Sequence, residues 1–428
     1  MNRAMKRALA SVAVGVPVAL GLGTIWAHAA VSEEASAGKN LEKNAVGLLQ
    51  QRCQACHSLG RVFNRLDDDR TKWGRTLTKM RAYGAFLTNQ EAELLETYLA
   101  ERAKQQAFDA PIRASGRFGK DMIWTADELG RSISAIDLGH GAVTGTITGI
   151  HNPHNITMSP DGERIFVTDT GREEILVFGT VNGGLIGRFK ADLNPMHVFV
   201  SPNQKYVLVT NSNSDSVTVH DYLTFARIAT FPVGGLPHGL TITPDGRFVY
   251  AAGQLTDDVT VIDLEKLKVV QRIHTGQIPV VPAASSSNRF VVVSVLKTSE
   301  IWKIDVATQR VVGTVKVQGF PGQVGVSPDS RWVVSGNQIT NNVSVIDATT
   351  MAVVATIDTG KWAHGVGFTP DSKNAIISNE EDSTISVIDL LKRKVVRSIR
   401  TGLGPNGIVG GYPVAMPYTC GPRQPLKP

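Results

Sequence analysis

The chain has 428 residues, of which 42% are hydrophobic and 19% are charged. This composition is typical of a soluble globular protein, and the length suggests two or three domains. The formal net charge of +6 is too small to favour nucleic-acid binding, and the sequence has no basic run with interleaved aromatic residues.

The first 29 residues indicate a secretory signal. A start with three basic residues precedes a nearly apolar run over Ala8 to Trp26, and Ala27-His28-Ala29 then matches the small-x-small cleavage pattern. The alternative is an uncleaved membrane anchor, because the apolar run is nearly long enough to cross a bilayer. The cleavage pattern favours removal after Ala29, which leaves 41 basic and 38 acidic residues. No other stretch is long and apolar enough to be a membrane span.

Cys53-Gln54-Ala55-Cys56-His57 is a C-x-x-C-H motif, the attachment signature of a c-type haem. Cys53 and Cys56 are spaced to bond to the two vinyl groups of one haem, and His57 is placed to supply an axial imidazole to the iron. A redox dithiol would need a βαβ setting and a zinc site a second Cys/His pair, and neither is present. The motif therefore predicts one covalent haem c. Cys420, the remaining cysteine, is interpreted as an inert thiol, with a ligand or an intermolecular bridge as the alternative.

Residues 30–105 are predicted to form a small all-α domain around this motif. Asn40 to Arg52 predicts a helix that leads into it, and Thr88-Asn89-Gln90-Glu91 is a capping box before a second helix with an apolar stripe. Two end helices around a C-x-x-C-H motif resemble a class I cytochrome c. The resemblance implies electron transfer. It also implies haem attachment outside the cytoplasm, so we expect a periplasmic protein.

Met80 is the predicted sixth ligand of the haem iron. That position needs a soft or imidazole donor, and Met80 is the only methionine between residues 40 and 105. It lies in a stretch that resembles the methionine loop of small cytochromes. The alternative is a core methionine. With His57 and Met80 both bound to iron, the haem would relay electrons instead of meeting substrate.

Residues 106–118 are predicted to be a linker, and beyond them the chain repeats with unit starts 41 to 43 residues apart. The starts are at 153, 196, 237, 279, 321 and 363. Each unit predicts four short strands separated by turn signals such as Pro244-Asp245-Gly246. The period points to a four-stranded propeller blade, and the units resemble the YVTN family of β-propellers, as in Val209-Thr210-Asn211.

A partial unit from Met122 to Ile147 and a lone first strand at Pro405 to Val409 would together complete a seventh blade. Closing the ring removes exposed sheet edges. The predicted fold class is therefore multidomain: a small all-α cytochrome c domain followed by an all-β seven-bladed propeller. We place the propeller, closed by the C-terminal strand, over residues 119–412, and a tail over 413–428.

Histidines recur at the unit starts. The residue that follows each small or proline start is, in order, His154, His197, His238, Val280, Gly322, His364 and Asn406. Because the first strand of each blade lines the channel of a propeller, we expect these residues to form a ring at one mouth. Neutral imidazoles there would suit copper, zinc or iron, or would bind a second haem axially. The alternative is a turn hydrogen bond common to the repeat.

A haem c domain before a propeller resembles cytochrome cd1 nitrite reductase and its relatives in haem d1 biosynthesis. The resemblance covers the domain order and the channel histidines, and it departs in blade number, since that family has eight blades. It implies a haem d1-like tetrapyrrole as the second cofactor, with copper as the alternative. His154 is then the nearest candidate for the proximal ligand.

Three functions remain open at this point. The first is a periplasmic oxidoreductase for a small substrate, with His197, His238 and His364 as ligands or proton donors. The second is a non-catalytic electron carrier whose propeller docks a redox partner: a cytochrome, a cupredoxin, a dehydrogenase or an oxidase. The third is an assembly factor for a tetrapyrrole or a metal. Whether the chain is an enzyme is left open, and it has no nucleophile elbow and no phosphate-cradling loop.

Overall fold

The computed structural model describes residues 41–52, 70–82, 84–105 and 110–410. The predicted signal peptide, the haem-attachment residues Cys53, Cys56 and His57, and the predicted tail with Cys420 lie outside these residues. The N-terminal part contains three helices: α1 over 41–52, α2 over Arg70–Ala82 and α3 over Asn89–Gln105. In the described ranges no helix combines the length and the apolar character needed to cross a membrane.

The three helices share one apolar core, which includes Leu49 of α1, Trp73 of α2 and Leu95 of α3. The predicted capping box at the start of α3 is confirmed. The Glu91 N–H donates to Thr88 Oγ1 at 3.2 Å, and the Thr88 N–H donates to Glu91 Oε2 at 2.7 Å.

The rest of the described chain consists of strands in seven antiparallel sheets, one for each blade. Blade 1 contains β1 (Arg113–Gly116), β2 (Ile123–Asp127), β3 (Ser132–Asp137), β4 (Ala142–Thr148) and β29 (Pro405–Val409). Blade 2 contains β5 (Pro153–Met158), β6 (Arg164–Asp169), β7 (Glu174–Gly179) and β8 (Leu185–Lys190). Blade 3 contains β9 (Pro195–Val200), β10 (Tyr206–Asn211), β11 (Ser216–Asp221) and β12 (Arg227–Pro232). Blade 4 contains β13 (Pro237–Ile242), β14 (Phe248–Gly253), β15 (Asp258–Asp263) and β16 (Lys268–His274). Blade 5 contains β17 (Pro279–Ala284), β18 (Phe290–Val295), β19 (Glu300–Asp305) and β20 (Arg310–Lys316). Blade 6 contains β21 (Pro321–Val326), β22 (Trp332–Asn337), β23 (Asn342–Asp347) and β24 (Ala352–Asp358). Blade 7 contains β25 (Ala363–Phe368), β26 (Asn374–Asn379), β27 (Thr384–Asp389) and β28 (Lys394–Arg400).

These sheets confirm the predicted seven-bladed propeller. The innermost strand of blade 1 is β29, from the far end of the chain, and it pairs with β2 through Trp124 with Val409 and Thr125 with Ile408. The two ends of the ring are therefore joined by backbone hydrogen bonds within one sheet, and β29 covers the edge of β2 that would otherwise be open at the junction.

One segment predicted as linker is a strand. Arg113–Gly116, within the proposed linker over 106–118, forms β1, the outermost strand of blade 1, antiparallel to β4. All four of its residues are exposed and none is β-branched. Neither hydrophobic alternation nor strand propensity could therefore mark it in the sequence.

The blades repeat with a uniform spacing of 42 residues, because the inner strands start at Pro153, Pro195, Pro237, Pro279, Pro321, Ala363 and Pro405. The sequence-based start at Met196 is therefore wrong by one residue. Each inner strand also carries a β-bulge, as between Pro237 and Leu240, where two residues of β13 oppose one residue of β14. A bulge redirects the side chains of the residues within it, and it does so here at the point where the histidines lie.

Candidate functional site: a buried histidine cluster under helix α2

Four histidines of the inner strands lie at one mouth of the propeller. His154 is on β5, His197 on β9, His238 on β13 and His364 on β25, and each is only 4–6% exposed. The mouth therefore holds imidazole rings that are almost entirely removed from water.

Three of these histidines, from consecutive blades, form a cluster. The ring centroids of His197 and His238 are 4.9 Å apart, those of His154 and His238 are 5.6 Å apart, and those of His154 and His197 are 6.2 Å apart. One ring nitrogen of each residue lies within 4.8 Å of the corresponding nitrogens of the other two. We call His154, His197 and His238 the histidine cluster.

His364 lies outside this cluster but at the same mouth. Its Nδ1 is 3.3 Å from the backbone oxygen of Asn406, and its side chain lines the same cavity as His154 and His238. The sequence placed all four histidines in one ring, and the structure brings three of them into mutual contact distance.

His197 occupies a different position in the repeat from His154 and His238. With the strand starts 42 residues apart, the residue equivalent to His154 and His238 in blade 3 is Met196, so His197 occupies the second position of the bulge. The prediction that four histidines share one repeat position is therefore wrong for His197. The error follows from starting that unit at Met196 instead of Pro195.

The second bulge position points toward the next blade. At Gly239 of blade 4 an added Cβ would lie 2.8 Å from the backbone oxygen of Val280 in blade 5. At Gly407 of blade 1 an added Cβ would lie 2.9 Å from the Cα of Asn155 in blade 2. A side chain at this position is thus directed sideways, which explains why the ring of His197 lies against His238 of the following blade.

The surroundings of the cluster favour the neutral form of its imidazole rings. Burial is the main cause that holds the pKa of His197 well below its ordinary value, followed by the charges of His154, His364 and Lys79. Burial, then Lys79, then the other three histidines lower the pKa of His238 in the same direction. Both rings are therefore neutral at pH 7, and a neutral imidazole has the lone pair that a metal ion requires.

A carboxylate that the sequence did not single out lies beside the cluster. Glu128, which follows β2, has its Oε2 3.5 Å from His154 Nδ1 and accepts a hydrogen bond of 2.9 Å from Asn406 Nδ2. The repeat offers only a weak signal for this residue: of the seven residues that follow a second strand, only Glu128 and Glu380 are acidic.

Helix α2 lies across this mouth of the propeller. Lys72 Nζ is 2.5 Å from Glu173 Oε1 of blade 2, and Arg75 Nη2 is 2.6 Å from Asp215 Oδ1 of blade 3. At its other end, Ala82 packs against an apolar patch of blade 5 formed by Ile278, Val280, Val281 and Leu296. Contacts at both ends of the helix thus seat it above the histidines.

A cavity of about 180 Å³ separates α2 from the propeller. Its walls include His154, His238 and His364 on one side and Lys79 and Met80 on the other. The volume is below the roughly 300 Å³ at which pockets for drug-sized ligands begin. The cavity therefore suits a small molecule or a few waters.

Met80 lies in the last turn of α2 and not in a loop. Its side chain is half-buried. Arg52, the residue before Cys53, lines the same cavity as Met80 and Trp73, and its Nη2 is 3.3 Å from Glu91 Oε1. The residue directly before the haem motif therefore lines the same cavity as the predicted axial methionine.

Comparisons with known proteins place the fold. Residues 117–371 match the YNCE-like beta-propeller family, and no curated protein sequence matches the chain. Among solved structures, hydrazine synthase of Kuenenia stuttgartiensis is 22% identical, with a TM-score of 0.56 over 60% of this chain and 89% of that one. A functionally unknown protein from Desulfotomaculum acetoxidans is 15% identical, with a TM-score of 0.61 over 68% and 99% of the two chains.

A third solved structure is similar over more of the chain. It is the dihydro-heme d1 dehydrogenase NirN in complex with DHE, which is 15% identical, with a TM-score of 0.57 over 86% of this chain and 99% of that one. Residues 110–410 account for 301 of the 428 residues, so a match over 86% of the chain also takes in residues outside the propeller. At these identities the likeness concerns the fold alone.

Proposed function

We propose that this chain, which belongs to the YNCE-like beta-propeller family, is a periplasmic c-type cytochrome that exchanges electrons with a second redox site at the mouth of its propeller. The observation that carries the proposal is the shared cavity, because Met80 of α2 lines the same small space as three propeller histidines, His154, His238 and His364. A small substrate would react there, and the haem would supply or remove electrons.

On the helical side, the residues present suit a covalent haem. The C-x-x-C-H motif begins directly after α1, and the half-buried thioether of Met80 is a soft donor of the kind that haem iron accepts. When bound, haem c supplies a one-electron carrier. Arg52, the residue before Cys53, forms an ion pair with Glu91 near the start of α3.

On the propeller side, neutral buried imidazoles suit either a metal ion or an axial bond to a second tetrapyrrole. The fold likeness to NirN and to hydrazine synthase supports a redox role for a propeller of this kind. The predicted signal peptide supports export to the periplasm, where thioether attachment takes place. A cytochrome, cupredoxin or dehydrogenase would then be the external partner.

The test is expression of the full chain in a host that exports and matures c-type cytochromes. We expect one iron per chain and a haem that stays with the polypeptide after denaturation and acid extraction. The double variant Cys53→Ala/Cys56→Ala should lose that haem, while Cys420→Ala should keep it. A matured protein without covalent haem would overturn the proposal.

A second measurement separates a redox centre at the mouth from a docking-only propeller. Stopped-flow reoxidation of the reduced haem is compared between the parent protein and His364→Asn, which introduces the residue that blade 1 has at the same position. We expect a small oxidant to reoxidise the haem faster in the parent. Equal rates, together with the absence of any second metal or chromophore, would favour the non-catalytic electron carrier.

A further inference from the structure

We infer that His154, His197 and His238 bind one divalent metal ion of borderline softness through one ring nitrogen each. Cu²⁺, which can be reduced, would make this ion the second redox centre at the mouth, and Zn²⁺, which has no redox chemistry, takes the same ligands and serves as the probe of the site. The inference deepens the proposed function and rests on it for the role of the site. It depends for its geometry on the histidine cluster alone.

The distances suit a single ion. Metal–nitrogen bonds of about 2.0–2.1 Å place two imidazole nitrogens on one ion no more than about 4.2 Å apart. The three nitrogens already lie within 4.8 Å of one another. To share one ion, the three nitrogens would therefore only have to move somewhat closer to one another than they are here.

Two of the nitrogens have no other role in the described structure. Nε2 of His197 and Nδ1 of His238 are buried and make no hydrogen bond with any described residue. Buried polar atoms are nearly always paired, because an unpaired one costs about 1–3 kcal/mol. Two such atoms from neighbouring blades, on rings whose centroids are 4.9 Å apart, point to a shared partner that accepts nitrogen lone pairs.

Glu128 is placed to orient the third ligand. Its carboxylate is 3.5 Å from Nδ1 of His154, so the metal would bind on the opposite edge of that ring, through Nε2. A carboxylate behind a ligating histidine fixes the tautomer and raises the basicity of the ligand. Asn406 in turn donates to Glu128 at 2.9 Å, so the carboxylate is itself held in position.

The same geometry disfavours a tetrapyrrole between these histidines. The rings of His154, His197 and His238 contact one another in edge-to-face or tilted arrangements, with interplanar angles of 55–89°. A macrocycle would have to separate them, and the cavity of about 180 Å³ is small for such a ligand. A metal ion with three protein ligands instead keeps an open position, which here would face the cavity under α2.

The experiment uses the mature full-length protein. After treatment with a chelator, it is dialysed against Zn²⁺, and zinc and iron are counted separately by elemental analysis. We expect one zinc per chain beside the haem iron. His238→Val reproduces the residue of blade 5 at the same position and should weaken zinc binding at least about 100-fold, beyond the 10- to 100-fold loss expected for a supporting residue such as Glu128 in Glu128→Gln.

The control is His274→Ala, because His274 is an exposed histidine at the end of β16 and its removal should leave zinc binding unchanged. Circular dichroism verifies that each variant is folded, and His154→Asn, which copies Asn406 of blade 1, provides a second ligand variant. Zinc binding that survives in both ligand variants would overturn the assignment. The assignment would also be overturned if the parent protein contained a second, acid-extractable tetrapyrrole and bound no zinc. Zinc binding without haem iron would instead refute the proposed function and leave the metal site standing.

Discussion

The buried carboxyl group of Asp127 in blade 1 should make the unfolding free energy of the protein depend on pH. Asp127 is the last residue of β2, in the blade that closes the ring, and its side chain is fully buried. Its carboxylate accepts hydrogen bonds from Thr125 at 2.8 Å, from Ser132 at 3.2 Å and from Ser134 at 2.6 Å. The hydrogen-bond partners of its carboxylate are hydroxyl groups, and burial raises the pKa of Asp127 to about 7.

The chain itself contains the test substitution. At the position of Asp127, three other blades have Asn211, Asn337 and Asn379, whose amides donate to side chains five and seven residues ahead. Ser132 and Ser134 stand at those same offsets. In Asp127→Asn the hydroxyls can therefore accept where they now donate, and the network survives without a charge.

The size of the change in unfolding free energy follows from the difference between the pKa values of Asp127 in the folded and unfolded chain. The ordinary pKa of Asp127 is 3.8 and the folded value is about 7, so the unfolded chain releases this proton first and stability falls as pH rises between these values. Each pH unit is worth about 1.4 kcal/mol, which gives an upper value of about 4 kcal/mol above pH 7. We expect Asp127→Asn to match the parent near pH 4 and to exceed its unfolding free energy by up to that amount at pH 8.

The assay is denaturant unfolding of the parent and the variant at several values of pH between 4 and 8. The control is Asp169→Asn in blade 2. The Asp169 carboxylate accepts backbone N–H groups of His151, Asn152, Gly171 and Arg172, so an amide there should destabilise the fold. A difference between Asp127→Asn and the parent that stays constant across this range would refute the reasoning.

Three further predictions address the mouth. Met80→Ala should lower the haem reduction potential and remove a methionine-to-iron charge-transfer band, and an unchanged potential in redox titration would exclude Met80 as ligand. Exchanging neighbours in Met196→His/His197→Met should weaken zinc binding, because the histidine of blade 3 then leaves the second bulge position, from which the ring of His197 lies against His238; unchanged zinc affinity would contradict that geometry. Lys72→Met/Arg75→Met removes both ion pairs that seat α2 and should speed zinc exchange several-fold, whereas Lys394→Met on the outer strand β28 should not.

The sequence predicts the propeller well because its signal is repeated. Seven copies of the same strand and turn pattern average out local ambiguity, and the incomplete units at the two ends of the repeat together predict a seventh blade. β1 carries no such signal, because Arg113–Gly116 is polar, short and outside the repeat.

The histidine site is only partly visible in the sequence. The recurrence of His154, His238 and His364 at one repeat position could be recognised, but the contribution of His197 depends on a backbone bulge that inserts a residue into the inner strand. A list of equivalent positions cannot show which way a bulged residue points. Glu128 and Lys79 were missed for a different reason, since each reaches the site from an element whose position is set by tertiary packing.

The residue that follows the start of each inner strand differs from blade to blade, and this difference gives neighbouring parts of the mouth different chemistry. In blades 2 and 4 this residue is histidine, and with His197 of blade 3 it forms the cluster. In blade 5 the same position is Val280, which joins Ile278 and Leu296 in the apolar patch under Ala82. A histidine at Val280 would place a buried polar ring against the helix and weaken its seating. The mouth therefore combines buried histidines on blades 2 to 4 with an apolar contact on blade 5 for the end of α2, and Lys79 and Met80 of that helix line the cavity between them.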